Sequence, residues 1–121
     1  PDKTGLWHVA LSEQPGEAGL TAPSVDRVAR GARGFVPSSA TESALARLAE
    51  IAAAAPRTRL LAGSLAEGRI TWISRSKLWG FPDYITAEVA PQGLRLWSRQ
   101  RYGVQDMGVN QQRLADWLSR L

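Results

Sequence analysis

Two aspartates, Asp83 and Asp106, stand close to glycines in separate connecting segments, with Arg75, Lys77, Arg99, Arg101 and Arg113 spaced around them. If the two segments meet at one sheet end, such a carboxylate pair suits general acid–base work on a small substrate, with Arg101 to hold it. The same residues also suit plain salt bridges from Asp83 or Asp106 to Arg75, Arg101 or Arg113, and that account is favoured. His8, the only histidine, adjoins Trp7, and no Gly-x-Ser-x-Gly turn is present to make a serine–histidine nucleophile; a surface or packing role is expected for it. One histidine and no cysteine make zinc improbable and remove disulfides and thiolate chemistry. No cofactor is expected.

The segment from Gly103 to Asn110 runs through two glycines into a helix N-terminus, where free N–H groups attract anions and Arg101 stands nearby. Asp106 can occupy those donors itself, and Asn110 is a good N-cap, so a rigid strand-to-helix turn is the safer reading. It is not a P-loop, because it lacks the Gly-Lys-Ser/Thr ending.

The elements that must position these residues follow from periodicity. Ser39-Ala40-Thr41-Glu42 fits a capping box, and Leu45, Leu48, Ala49 and Ala52 recur at helical spacing, with Ile51 and Ala55 widening the stripe, until Pro56 stops the helix. The period then changes to two, giving strands over 59–65, 69–78, 84–90 and 94–102 joined by short turns, which forces an antiparallel meander. The last helix carries Leu114, Trp117, Leu118 and Leu121 on one stripe; burying all four is worth roughly 6–12 kcal/mol before ordering costs. Residues 1–37, rich in Pro, Gly, Ala and Arg, read as an irregular lead-in pinned by Trp7 and Phe35. The expected fold is therefore α+β, a four-stranded antiparallel meander with two helices packed on one face, as a single domain over 38–121 behind that lead-in.

Alternation sorts the sheet faces. One carries Ile70, Trp72, Ile85, Val89, Leu94 and Leu96 toward the helices. The other carries Arg75, Lys77, Tyr84, Arg95, Trp97, Arg99 and Arg101. Cations interleaved with Trp97 and Tyr84 could hold phosphates while an aromatic ring stacks on a base or lipid group. A solvated face whose arginine stems cover Trp97 is the plainer account, and the lead-in with Trp7 could cross this face and hide it. Leu78, Trp79 and Phe81 form either an exposed partner patch or core, with Phe81 expected in the core.

The run Arg101-x-Gly103-x-x-Asp106-x-Gly108-Val109-Asn110-x-x-Arg113, preceded by Trp79-Gly80-Phe81-Pro82-Asp83, resembles the domain-of-unknown-function family numbered 1499. The resemblance covers about residues 56–121, plus the Trp7-His8 segment. The family pattern has Phe-x-Asp on the sheet and a longer C-terminal run beginning Arg-Ser-x-Ser-Arg. This chain departs from it with Trp97 for the first arginine, Gln100 for the second serine, and Tyr84 where a second aspartate often follows Asp83. The resemblance implies no known reaction. It does imply a small bacterial protein with an N-terminal hydrophobic or lipoprotein-type anchor, which fits a chain that starts abruptly at Pro1.

At 121 residues and 44% hydrophobic the chain is one folded domain's worth, and its formal charge of +4 is uneven. Residues 1–56 hold five Lys/Arg against six Asp/Glu, and residues 57–121 hold ten against five. The leading expectation is a non-enzymatic binding or accessory domain, tethered to a bacterial membrane and facing the periplasm, with a cytoplasmic place left open. Its ligand would be anionic lipid or a protein partner, at a site joining Arg75, Lys77, Trp97, Arg99 and Arg101 with Asp83, Asp106, Asn110 and Arg113. The alternatives are an enzyme using Asp83, Asp106 and Arg101, and nucleic-acid binding by the basic face, which the modest charge makes the weakest. Oligomeric state is left open.

Overall fold

The computed structural model describes residues 4–76, 80–101 and 108–121. Lys77, Leu78, Trp79, Asp106 and most of the Gly103–Asn110 turn lie outside the described residues.

The expected meander is present: β3 (Thr58–Ser64), β4 (Arg69–Arg75), β5 (Pro82–Ala90) and β6 (Gly93–Gln100) pair antiparallel in chain order. The sheet does not stop there. Two further strands, β1 (Ser24–Val28) and β2 (Gly31–Pro37), extend it to six among the described residues, in the order β1-β2-β6-β5-β4-β3. This corrects the four-stranded, two-helix expectation and the irregular lead-in, since the last part of that lead-in is sheet. Gly31 and Gly34 are strand residues of β2. At Gly31 an added Cβ would fall 2.1 Å from the Ser98 carbonyl oxygen, so glycine permits the β2–β6 approach. At Gly34 it would lie 3.5 Å from Leu114, which the last helix sets over β2. Ala32 and Val36 complete the inward face of β2.

Among the described residues three α-helices accompany the sheet: α1 (Thr4–Trp7), only one turn long, α2 (Thr41–Ala54) and α3 (Val109–Ser119). α3 lies over β1, β2 and β6, and α2 over β3, β5 and β6. Together they cover the face bearing Ile70, Trp72, Ile85, Leu94 and Leu96, as the alternation requires. Leu45, Leu48, Ile51 and Ala52 of α2 and Leu114, Trp117 and Leu118 of α3 close this core, with the Trp117 ring edge-on to Trp72 at 5.8 Å.

Four local expectations need correction. The capping box does not form: the N-cap of α2 is Ala40, with no side-chain cap, and Ser38 Oγ accepts from the Ala40 N–H at 3.0 Å just before the helix. Asn110 is not the N-cap of α3; Gly108, at φ 81°, occupies that position, and Asn110 lies inside the first turn, fully buried. Leu121 falls beyond the last turn and is 39% exposed, which leaves three anchors on α3 and roughly 5–9 kcal/mol of burial. Phe81 is 53% exposed, because the chain bends at Gly80 (φ 70°) and turns its ring outward beside the β4–β5 connection.

Candidate functional site

The candidate residues divide among three places. The first is a buried polar cluster between the sheet and α3. Asp83 and Gln100 are register partners on β5 and β6, and Ser98 follows on the same inward face. Asn110 and Arg113, one turn apart on α3, point down onto them. The Ser98 hydroxyl donates to Asn110 Oδ1 in a short contact. Arg113 Nη1 donates to Asn110 Oδ1 at 2.6 Å and to Ser98 Oγ at 3.2 Å, while Nη2 reaches Asp83 Oδ2 at 3.0 Å. Asp83 is therefore held in an ion pair with Arg113, one of the three salt bridges the sequence suggested for it. Ser98 and Asn110 are fully buried, while the Arg113 and Asp83 side chains keep 15% and 17% exposure. Its chemistry is that of a brace fixing α3 to the sheet.

The second place is the outer sheet face. Residues 4–20 cross it. Trp7 stacks on Tyr84 with centroids 4.1 Å apart and planes at 7°. His8 bridges the Thr71 hydroxyl at 2.8 Å and the Glu67 carboxylate at 2.7 Å, so it is a packing residue with two partners. Leu11 N–H donates to Glu88, and Glu17 grips Arg95 through both oxygens at 2.9–3.0 Å. Glu88 also binds Arg69 at 2.7 Å, giving an alternating chain of charges that fastens the lead-in to the sheet. Beneath this cover Arg99 is only 3% exposed, with Trp97 on one side at 4.4 Å and Trp7 at 5.5 Å. Burial, reinforced by the nearby Arg33 charge, pulls its guanidinium down to about 10, so it is still a cation at neutral pH. Arg33 is shifted down too, chiefly by burial. Arg101 lies at the end of this face, donating to the Tyr84 hydroxyl at 3.3 Å. The open basic face expected from alternation is thus largely roofed.

The third place was not legible in the sequence. Beyond Pro56, Arg57 takes a left-handed conformation (φ 54°), and Arg59 follows on the edge strand β3. With Thr58, Ile73, Arg75, Ser76 and Gly80 they line an open cleft of about 480 Å³. Backbone carbonyls hold two of the side chains in place: Arg57 Nε donates to Arg75 O at 3.2 Å and Arg75 Nη1 to Gly80 O at 3.0 Å. Elsewhere Arg69, Arg95, Arg113 and Arg120 each have a carboxylate partner. Among the described residues Arg57, Arg59 and Arg75 have none, and no carboxylate lines their cleft. Only Arg75 was singled out from sequence. The missing signal was pairing: the register that sets Arg59 opposite Ile73 and Thr58 opposite Ser74 brings the Pro56-Arg57-x-Arg59 segment beside Arg75.

Residues 21–121 match the family model described as a protein of unknown function, DUF1499. The chain belongs to the DUF1499 family. No curated protein and no solved structure matches it. The Trp7-His8 segment, included in the resemblance read from sequence, precedes the matched region. Of the described residues of the motif that carried the resemblance, Asp83, Asn110 and Arg113 converge in the brace, whereas Arg101 lies at the end of the outer face. Gln100, which stands in place of a serine, adjoins them. Among the described residues no group of acidic or histidine side chains is arranged to hold a metal ion.

Proposed function

We propose that this DUF1499 protein is a non-catalytic binding domain that takes the anionic headgroups of a lipid surface in the Arg57–Arg59–Arg75 cleft. The observation that carries the reading is the set of three arginines that, among the described residues, have no carboxylate partner around one open cleft, whereas Arg69, Arg95 and Arg113 are each paired. Guanidinium forks match phosphate oxygens and give up hydration more readily than ammonium groups do. Ile73 at the base of the cleft and the exposed Phe81 beside Gly80 add the apolar component that interfacial contact uses. The domain is then held against a bacterial membrane on the periplasmic side, as the family resemblance suggests. No helix among the described residues is long and apolar enough to cross a membrane.

Co-sedimentation with vesicles tests this directly. Vesicles containing phosphatidylglycerol should pull down the protein at low salt and lose it as ionic strength rises, while pure phosphatidylcholine vesicles should not. Equal binding to the two would end the proposal.

A further inference from the structure

The buried cation on the outer face is electrostatically incomplete. Arg99 donates to the carbonyls of Trp7, Trp97 (3.1 Å) and Tyr84 (3.5 Å) and to the Thr86 hydroxyl (2.9 Å), all of them neutral acceptors. Among the described residues no carboxylate lies within ion-pair distance of it, and the closest like charge, Arg33, shares the Trp97 ring with it. Three N–H groups here are buried without any acceptor: Arg99 Nε and the indole Nε1 of both Trp7 and Trp97. Buried donors and buried charge are costly unless matched; two of the idle donors, Arg99 Nε and Trp97 Nε1, belong to the sheet beside the uncompensated cation, and together they suit an anion.

Trp7 shows what shape of molecule fits. Its ring lies flat on Tyr84, and its own carbonyl, a few bonds away, accepts from Arg99 and from Thr86 at 3.2 Å. A planar aromatic with a carboxylate at similar reach would repeat both contacts and add the missing negative charge. The segment that supplies Trp7 precedes the family domain at residues 21–121, so the site is built by the domain and covered by the lead-in. The cover is latched at His8, whose side-chain hydrogen bonds go to Thr71 and Glu67 and to none of Tyr84, Trp97 and Arg99.

We propose that Tyr84, Trp97 and Arg99 form a binding site for a small aromatic carboxylate, held closed by residues 4–8 with Trp7 in the ligand's place. The site stands apart from the arginine cleft and does not depend on lipid binding. Because the closed form dominates, apparent affinity is lowered by the fraction of molecules that are open, and loosening the latch raises it.

The probe is indole-3-acetate, titrated into the full chain by calorimetry, with indole-3-acetamide as the uncharged control. His8→Ala removes the latch and leaves the ring pocket intact, and should bind the acetate roughly tenfold more tightly than wild type. Trp7→Ala should tighten it further, and the acetamide should bind roughly tenfold more weakly than the acetate throughout. In wild type at saturating acetate, the Trp7 indole N–H resonance should move to a solvent-exposed position. This arm and His8→Ala decide the matter if Trp7→Ala does not fold. The proposal is overturned if neither variant binds more tightly than wild type, if the Trp7 resonance stays where it is, or if acetate and acetamide bind equally.

Discussion

Replacing Asn110 distinguishes two physical roles for the same residue. As an N-cap, asparagine would satisfy an exposed helix N–H; serine would serve equally well, and alanine would cost about 1 kcal/mol. In the structure Asn110 is the second residue of α3, after the Gly108 N-cap, and its Oδ1 is the shared acceptor for the Ser98 hydroxyl and for Arg113 Nη1. Asn110→Ala leaves both donors short of an acceptor in a fully buried setting. Each such loss costs about 1–3 kcal/mol, and Arg113 keeps Asp83, so the sum comes to about 2–5 kcal/mol. That is a large part of the roughly 5–15 kcal/mol that holds a domain of this kind together. Serine is too short to meet both donors, so Asn110→Ser should lose nearly as much as alanine. Urea unfolding of the two variants gives the comparison, read as a drop in midpoint at unchanged slope. If Asn110→Ser matched wild type while Asn110→Ala lost only about 1 kcal/mol, the brace between α3 and β6 would be refuted.

Three further outcomes follow from the packing. Trp117→Ala, which removes a ring buried against Trp72, should cost about 3–5 kcal/mol, whereas Leu121→Ala should stay within about 0.5 kcal/mol; thermal melts of the pair check both. Gly93→Ala places a methyl 2.0 Å from the Val36 carbonyl and should cost about 1–3 kcal/mol, and a wild-type midpoint would count against the β2–β6 pairing. Glu88→Ala removes the acceptor of the Leu11 N–H and the partner of Arg69, so protease cleavage within residues 9–20 should speed up roughly tenfold; an unchanged rate would show that the lead-in is fastened elsewhere.

Periodicity made the meander, its inward face and both long helices readable, because Leu45, Leu48, Trp72, Leu94, Leu114 and Trp117 keep the period their element imposes. It failed at β2, where Gly31 is required by a neighbour distant in sequence, the Ser98 carbonyl. The Ala29-Arg30 hairpin turn carries no Asn-Gly or Asp-Gly signature to announce β1 and β2; the positive φ of 60° falls on Arg30. Residue type placed Asn110 at a helix start, and only the fold shows that the buried Ser98 claims its side chain. The Asp83–Arg113 pair was readable as one of several ion pairs. The cleft was not, since it depends on which arginines find carboxylates, and that is decided by register. The outer face was sorted correctly by alternation, and its roof was foreseen through Trp7, but the depth at which Arg99 lies needed the structure.

The measurement closest to the central claim is the affinity for phosphatidylglycerol vesicles of the variant Arg57→Gln, Arg59→Gln, Arg75→Gln, set beside Arg30→Gln on the distant β1–β2 turn. At about 1 kcal/mol for each cation near an anionic surface, the triple variant should bind roughly 100-fold more weakly, with its melting temperature unchanged. Arg30→Gln should bind like wild type. Wild-type affinity in the triple variant would contradict the account, and so would a loss per charge from Arg30→Gln as large as that from the cleft.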